Sequence, residues 1–122
     1  MKLAVTSQGT DLESAVDPRF GRAKFFAVVD TETDEFFVLN NTVNLNAAQG
    51  AGIQAGKKVV ELGVEATLTG HVGPKAFAAL QAGGVKVYTG ASGTVREAVE
   101  QFKAGRLGLA KDSDVQGHWG GA

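Results

Sequence analysis

The chain has no cysteine, two prolines, two histidines, one tryptophan and one tyrosine in 122 residues. Without cysteine there are no disulfides, no thiolate zinc sites, no conventional iron–sulfur ligation and no cysteine nucleophile. The two histidines, His71 and His118, stand far apart, which argues against a dedicated His-rich zinc site. A formal net charge of −1 gives no general attraction to nucleic acid or to an anionic membrane. No apolar run approaches a membrane span, and the apolar stretch in the opening "MKLAVTSQGT" is too short for a secretory signal. The expectation is a cytoplasmic protein, monomeric, without nucleic-acid or membrane partners.

What is abundant is glycine, with 17 residues, against an ordinary background of 43% hydrophobic and 20% charged residues. Many glycines fall at the ends of apolar runs, where they permit tight turns and close backbone approach. The length suits one domain with one real core.

Along the chain, "KLAVTS" (2–7) reads as a buried strand, "KFFAVVD" (24–30) as a second and "FFVLNN" (36–41) as a third. The five polar residues "TETDE" between the last two predict an antiparallel hairpin. A low-bulk helix follows from about Gln49 to Leu62, with Gly63 as its C-cap, then a fourth strand at 65–70. "GPKAFAALQAGG" sets Pro74 at the first helical position and Gly83 and Gly84 past the end. A fifth strand spans 85–90. "TVREAVEQFKAG" is the clearest helix: Thr94 and Glu97 form a capping box, and Val95, Ala98, Val99 and Phe102 make one apolar face. The order βββαβαβα with short connections predicts an α/β fold on a mixed five-stranded sheet, strand order 3-2-1-4-5 with strand 2 antiparallel, flanked by helices. Residues 1–105 form the domain, and 106–122 read as a mobile C-terminal tail.

Ligands of such sheets bind beyond the carboxyl ends of the parallel strands. Those ends are "SQGT" (7–10), "TGHVG" (69–73) and "TGASGT" (89–94), and the last two lead into helix N-termini, where free N–H groups and the dipole favour an anion. His71 sits on one elbow. The nearby "DPRFGR" (17–22) brings Arg19 and Arg22; one is expected to meet an anion while the other pairs with Asp17 or Glu13. A solvated loop histidine and an ion-paired loop anchored by Phe20 are the bland alternatives. "GAGIQAGKK" is not a dinucleotide or phosphate loop: a polar loop precedes it, and Lys58 stands where a Walker motif has Ser or Thr. A Gly/Ala-rich helix face packed close to the sheet explains it better. No serine-nucleophile elbow or metal-ligand spacing is present. His118 and Trp119 lie in the glycine-rich tail, as a transient lid, a soft-metal contact or plain disorder.

Together, "DPRFGRA", "GAGI" and "TGHVGPKA" resemble the signatures of the dinitrogenase iron–molybdenum cofactor biosynthesis family, from about residue 2 to 104. That family holds NifX-like accessory proteins, the C-terminal part of NifB and the orange proteins, and this short cysteine-free chain looks most like the orange-protein type. The resemblance implies a ribonuclease-H-like three-layer fold. It also implies non-catalytic, non-covalent binding of an anionic metal–sulfur cluster: a mixed molybdenum–copper sulfide, or alternatively the iron–molybdenum cofactor or a precursor. The implied partners are cluster-assembly proteins or a ParA/MinD-like ATPase, for which the chain would be a regulatory module. The candidate cluster contacts are His71 (also a candidate metal ligand), Gly70, Val72, Gly73, Arg19, Arg22, Ser7, Gln8 and Ser92, with Lys75 nearby. A two-metal nuclease is the enzyme alternative; it needs clustered carboxylates on the central strands, and strands 1 and 4 end in Ser/Gln and Thr/Gly instead.

Overall fold

The computed structural model describes residues 1–41 and 51–111. Six strands form one sheet: β1 (Lys2–Ser7), β2 (Phe25–Asp30), β3 (Phe36–Asn40), β4 (Ala66–Leu68), β5 (Lys86–Thr89) and β6 (Gly108–Leu109). Among the described residues three helices, α1 (Ala51–Glu61), α2 (Pro74–Ala82) and α3 (Val95–Lys103), cover it, and a 3-10 turn spans Phe20–Arg22. The sheet order is β3-β2-β1-β4-β5-β6. β2 runs antiparallel to β1 and β3, β4 runs parallel to β1 and β5, and β6 returns antiparallel along β5.

The five expected strands therefore stand in the expected order, and the sheet carries a sixth. Residues 106–111 do not all leave the domain: Leu109 pairs with Tyr88, Gly108 pairs with Thr89, and the Ala110 N–H donates to the Val87 carbonyl at 2.8 Å. The strand is two exposed residues long, so no apolar alternation betrays it in the sequence. The rest of the expected tail, with His118 and Trp119, lies outside the described residues.

The central strands are apolar on both sides because helices lie on both faces. In β1 five consecutive residues, Leu3 to Ser7, are buried. Ala4, Phe26, Val28 and Val87 point to one side and pack with Phe20, Ala55, Val59, Val72 and Leu80 beneath α1 and α2. Leu3, Val5, Ala27, Val29 and Leu68 point to the other and pack with Val16, Val95, Ala98 and Val99 beneath α3. Each fully buried Val, Leu or Phe side chain contributes roughly 1.5–3 kcal/mol of transfer free energy. Tyr88 and Phe102 meet edge to face at 4.9 Å between ring centroids, so Phe102 closes the α3 face as its helical spacing predicts.

The Gly/Ala-rich face of α1 packs against its neighbouring helix rather than close to the sheet. A Cβ on Gly56 would lie 2.9 Å from the Ala79 Cβ and 3.3 Å from the Ala76 carbonyl oxygen, while Gly52 faces Ala76. The two helices cross almost backbone to backbone, which accounts for these glycines without a nucleotide.

Candidate functional site

Two loops beyond the sheet are tied into one surface. The chain leaving β4 passes Thr69, Gly70, His71, Val72 and Gly73 before Pro74 opens α2. Against it lies the segment 17–22. The His71 N–H donates to the Pro18 carbonyl at 2.7 Å and the Phe20 N–H donates to the His71 carbonyl at 3.1 Å, so Arg19 and His71 stand side by side in a parallel bridge. Only glycine fits at position 70 in this arrangement: a Cβ there would sit 2.7 Å from the Pro18 carbonyl oxygen.

Beneath this surface the anchoring is buried and polar. The Thr6 hydroxyl donates to the Asp17 carbonyl at 2.7 Å and lies 3.0 Å from the Thr69 hydroxyl, both threonines being fully buried. The Asp17 N–H donates to the Thr6 carbonyl at 2.9 Å, and the Asp17 carboxylate accepts the Arg19 N–H at 3.0 Å. Phe20, 1% exposed, inserts into the core against Phe26. The loop is thus fixed at Asp17, Pro18 and Phe20, while Arg19 and Arg22 are exposed. Rigid backbone with exposed cations is the arrangement expected of a preorganised ionic site.

A cleft of about 470 Å³ opens there, lined by Gln8, Asp17, Arg19, Arg22 and Lys24. Among the described residues none of the three cations forms an ion pair. The ion pairs present are Arg96–Glu13 and Lys103–Asp34. The expectation that one arginine pairs with Asp17 or Glu13 is corrected here, because Glu13 is taken by Arg96 and Asp17 caps the Arg19 amide instead. Lys24 is the residue that sequence reasoning missed. It directly precedes β2 and looks like a strand-flanking lysine; in the fold it lines the same cleft as Gln8, Arg19 and Arg22.

The other sequence-nominated residues divide. Gln8 lines the cleft. His71 is exposed and adjoins Arg19, although it does not line the cleft itself. Gly70 is the contact with Pro18, and Gly73 is the N-cap of α2, which has no side-chain cap. Lys75, on the first turn of α2, is exposed. Ser7 is buried, with its hydroxyl closed onto Gly9. The Val72 side chain belongs to the core beneath α1 and α2. Ser92 is held by Gln101, which accepts from its N–H at 3.3 Å and donates to its carbonyl at 3.2 Å.

The strand ends therefore are not equivalent. At the N-terminus of α3 the Thr94 N–H donates to the Glu97 carboxylate and the Glu97 N–H to the Thr94 hydroxyl, completing the capping box. The Val95 and Arg96 N–H groups donate to the Ser14 and Leu12 carbonyls at 2.9 Å each. All four leading donors are used within the protein, so the positive end of this helix offers an anion no free N–H. The cleft with Arg19, Arg22 and Lys24, and the elbow at Gly70–Gly73 that adjoins it, remain as the candidate site.

Among the described residues no group of three or more His, Asp or Glu side chains is placed to hold a metal ion, and no helix is long and apolar enough to cross a membrane. The fold is shared with solved structures. The chain superposes with a TM-score of 0.91 on the apo form of the orange protein from Desulfovibrio gigas, at 43% identity over 93% of this chain and 96% of that one. It superposes with a TM-score of 0.82 on the NMR structure of a NifB-type protein from Thermotoga, at 40% identity over 95% and 98%. An uncharacterised protein of Methanocaldococcus jannaschii is 28% identical over 110 residues, 88% of this chain and 89% of its own length. Residues 1–105 match the profile of the dinitrogenase iron-molybdenum cofactor family. With "DPRFGR" and "TGHVGPKA" forming one hydrogen-bonded surface, the chain belongs to the dinitrogenase iron–molybdenum cofactor family.

Proposed function

We propose that the protein is a non-enzymatic cytoplasmic carrier that binds an anionic metal–sulfur cluster without covalent ligands, in the cleft formed by Gln8, Arg19, Arg22 and Lys24 and against the His71 elbow. The observation that carries this reading is three cations without ion-pair partners among the described residues, around one cleft of about 470 Å³, on a protein whose net charge is −1. Cations left unpaired on a rigid loop are poised to compensate an incoming anion, and they cost nothing to strip from internal partners.

The chemistry of the donors fits such a cargo. A sulfide cluster presents soft anionic faces, which guanidinium and ammonium groups and backbone N–H donors can surround. No thiolate is required, so the lack of cysteine is consistent with a cluster that arrives complete and leaves intact. Neutral His71 can donate to a sulfide or coordinate copper, and protonated His71 adds positive charge. The sequence resemblance to the orange-protein type implies a mixed molybdenum–copper sulfide, and the family match supports the iron–molybdenum cofactor or a precursor as the alternative cargo.

The test is to mix the purified protein with tetrathiomolybdate and copper(I) and to follow the mixture by gel filtration. A visible chromophore that co-elutes with the protein and contains both metals is the expected result. A chromophore that elutes only in the small-molecule volume would overturn the reading. Metal analysis of protein purified from its native host separates the cargoes: copper with molybdenum supports the first, iron with molybdenum the second.

A further inference from the structure

Asp17 is an acid among the cations. It lines the cleft with Arg19, Arg22 and Lys24, and it is 6% exposed. Among the described residues it makes no ion pair, and the Arg19 N–H, 3.0 Å from one carboxylate oxygen, is its one donor. Neighbouring donors are taken elsewhere. The Thr6 hydroxyl donates to the Asp17 carbonyl, the Arg22 N–H to the Arg19 carbonyl, the Phe20 N–H to the His71 carbonyl and the His71 N–H to the Pro18 carbonyl. A carboxylate has room for about four hydrogen bonds, so most of this acceptor capacity has no protein donor among the described residues.

The turn from Asp17 to Arg19 does not need the charge. It needs a side-chain oxygen two residues before the N–H, and asparagine supplies one equally well. A buried carboxylate that no cation pairs is costly to keep. Its position beside three cations therefore bears on what the cleft accepts. On the reading of this cleft as the site of an anionic metal–sulfur cluster, we infer that Asp17 is a specificity-determining residue, which sets the cleft to take thioanions and to refuse oxyanions of the same charge and shape.

Repulsion between the carboxylate and a bound anion rises as the two charges approach and as the local dielectric falls. An oxyanion brings its charge in close, because its oxygens sit about 2.7–2.9 Å from charged donors. It also gives up a tightly held hydration shell. A thioanion has larger atoms that spread the same charge, makes longer contacts and holds water weakly. The carboxylate thus penalises the first more than the second. Three cations without it would serve any dianion, sulfate included; a like charge placed against the wrong ligand is a standard route to selectivity.

Molybdate and tetrathiomolybdate form the test pair, since they share metal, charge and tetrahedral shape and differ in oxygen against sulfur. Each is titrated into the full chain at fixed ionic strength, and binding is read from the amide shifts of Gln8 and Arg19. The parent should bind tetrathiomolybdate several-fold more tightly than molybdate. Asp17→Asn keeps an oxygen for the Arg19 N–H; it should tighten molybdate binding about tenfold and tetrathiomolybdate binding much less, so that the preference narrows. Glu65→Gln, at an exposed position just before β4 and so at the other end of that strand, changes the net charge equally and should leave the preference as in the parent. Equal affinities for the two anions in the parent, an unchanged preference in Asp17→Asn, the same narrowing in Glu65→Gln, or an Asp17→Asn chain that no longer folds, which would make the charge structural, each overturns the proposal. Where the parent nonetheless retains the molybdenum–copper chromophore, such a result leaves the cluster reading standing; a parent that binds neither anion and retains no chromophore overturns both.

Discussion

Gly70 and Pro18 touch backbone to backbone: the place where a Cβ would stand on residue 70 is 2.7 Å from the Pro18 carbonyl oxygen and 2.9 Å from its Cα. The obstacle is main chain, so no rotamer change relieves it. The same carbonyl accepts the His71 N–H at 2.7 Å, and the following turn carries Arg19 and Arg22. This one contact joins the two halves of the candidate site.

Gly70→Ala should therefore cost about 1–3 kcal/mol, the range for overpacking a rigid contact, read as a lower urea midpoint at unchanged slope. It should also weaken anion binding at the cleft. Pro18 and the residues bonded to it must move to admit the methyl group. A variant with parental stability would show that the loop yields freely and is not preorganised.

At the N-terminus of α3 a different outcome is expected. Thr94→Ala removes one side of the capping box and should cost about 1 kcal/mol. Tetrathiomolybdate should perturb the amides of Gln8 and Gly70–Gly73, and leave those of Thr94–Glu97 nearly unshifted, because these already have internal acceptors. Large shifts at Thr94–Glu97 would return that helix end to the site.

These two helix ends also show what the sequence makes legible. The capping box, the apolar stripe of α3 and the order of five strands follow from local spacing, and the structure has them. The loss of the strand-5 elbow as an anion site does not follow locally: it depends on residues 12–16 folding back so that the Leu12 and Ser14 carbonyls reach Arg96 and Val95. Lys24 is another case: it reads as a strand-flanking lysine, and the folded loop sets it in one cleft with Gln8 and Arg19. β6 is a third; two exposed residues carry no pattern of their own. What is hidden at the α3 end and at β6 is a contact between segments distant in sequence. The "DPRFGR" and "TGHVG" motifs are readable one by one, but only the fold sets them side by side.

The carboxylate of Asp30 makes a pH prediction. The Glu32 N–H bonded to it, with help from the Thr33 N–H and from Lys2, holds its pKa below the ordinary value of 3.8. A group depressed on folding contributes stability above its unfolded pKa and loses it as pH falls through the lower folded value. The stability difference between the parent and Asp30→Asn should thus be constant near neutrality and shrink only below about pH 4. Urea denaturation at several pH values reads this directly; a difference that shrinks instead between pH 6 and pH 8 would point to another group.

The last prediction sets the cations against the histidine. Arg19, Arg22 and Lys24 line one cleft without ion pairs among the described residues, at exposed positions where a single charge contact is worth up to about 1 kcal/mol. Arg19→Ala, Arg22→Ala and Lys24→Ala should each weaken retention of the molybdenum–copper chromophore several-fold, and the triple variant should lose it at moderate salt. Parental retention should itself fall with ionic strength, and the slope should flatten with each cation removed. His71→Ala should weaken retention by about 1–2 kcal/mol, the scale of a lost charge-assisted contact, with little change in that slope if neutral imidazole acts by hydrogen bonding or on copper. The dependence on salt is what separates the roles, since screening acts on the charges and hardly on a neutral donor. If the three cation variants hold the chromophore as tightly as the parent, at low and at high salt, the cleft is not the cargo site. If His71→Ala alone is silent, the elbow is scaffold and the arginine loop with Lys24 carries the binding.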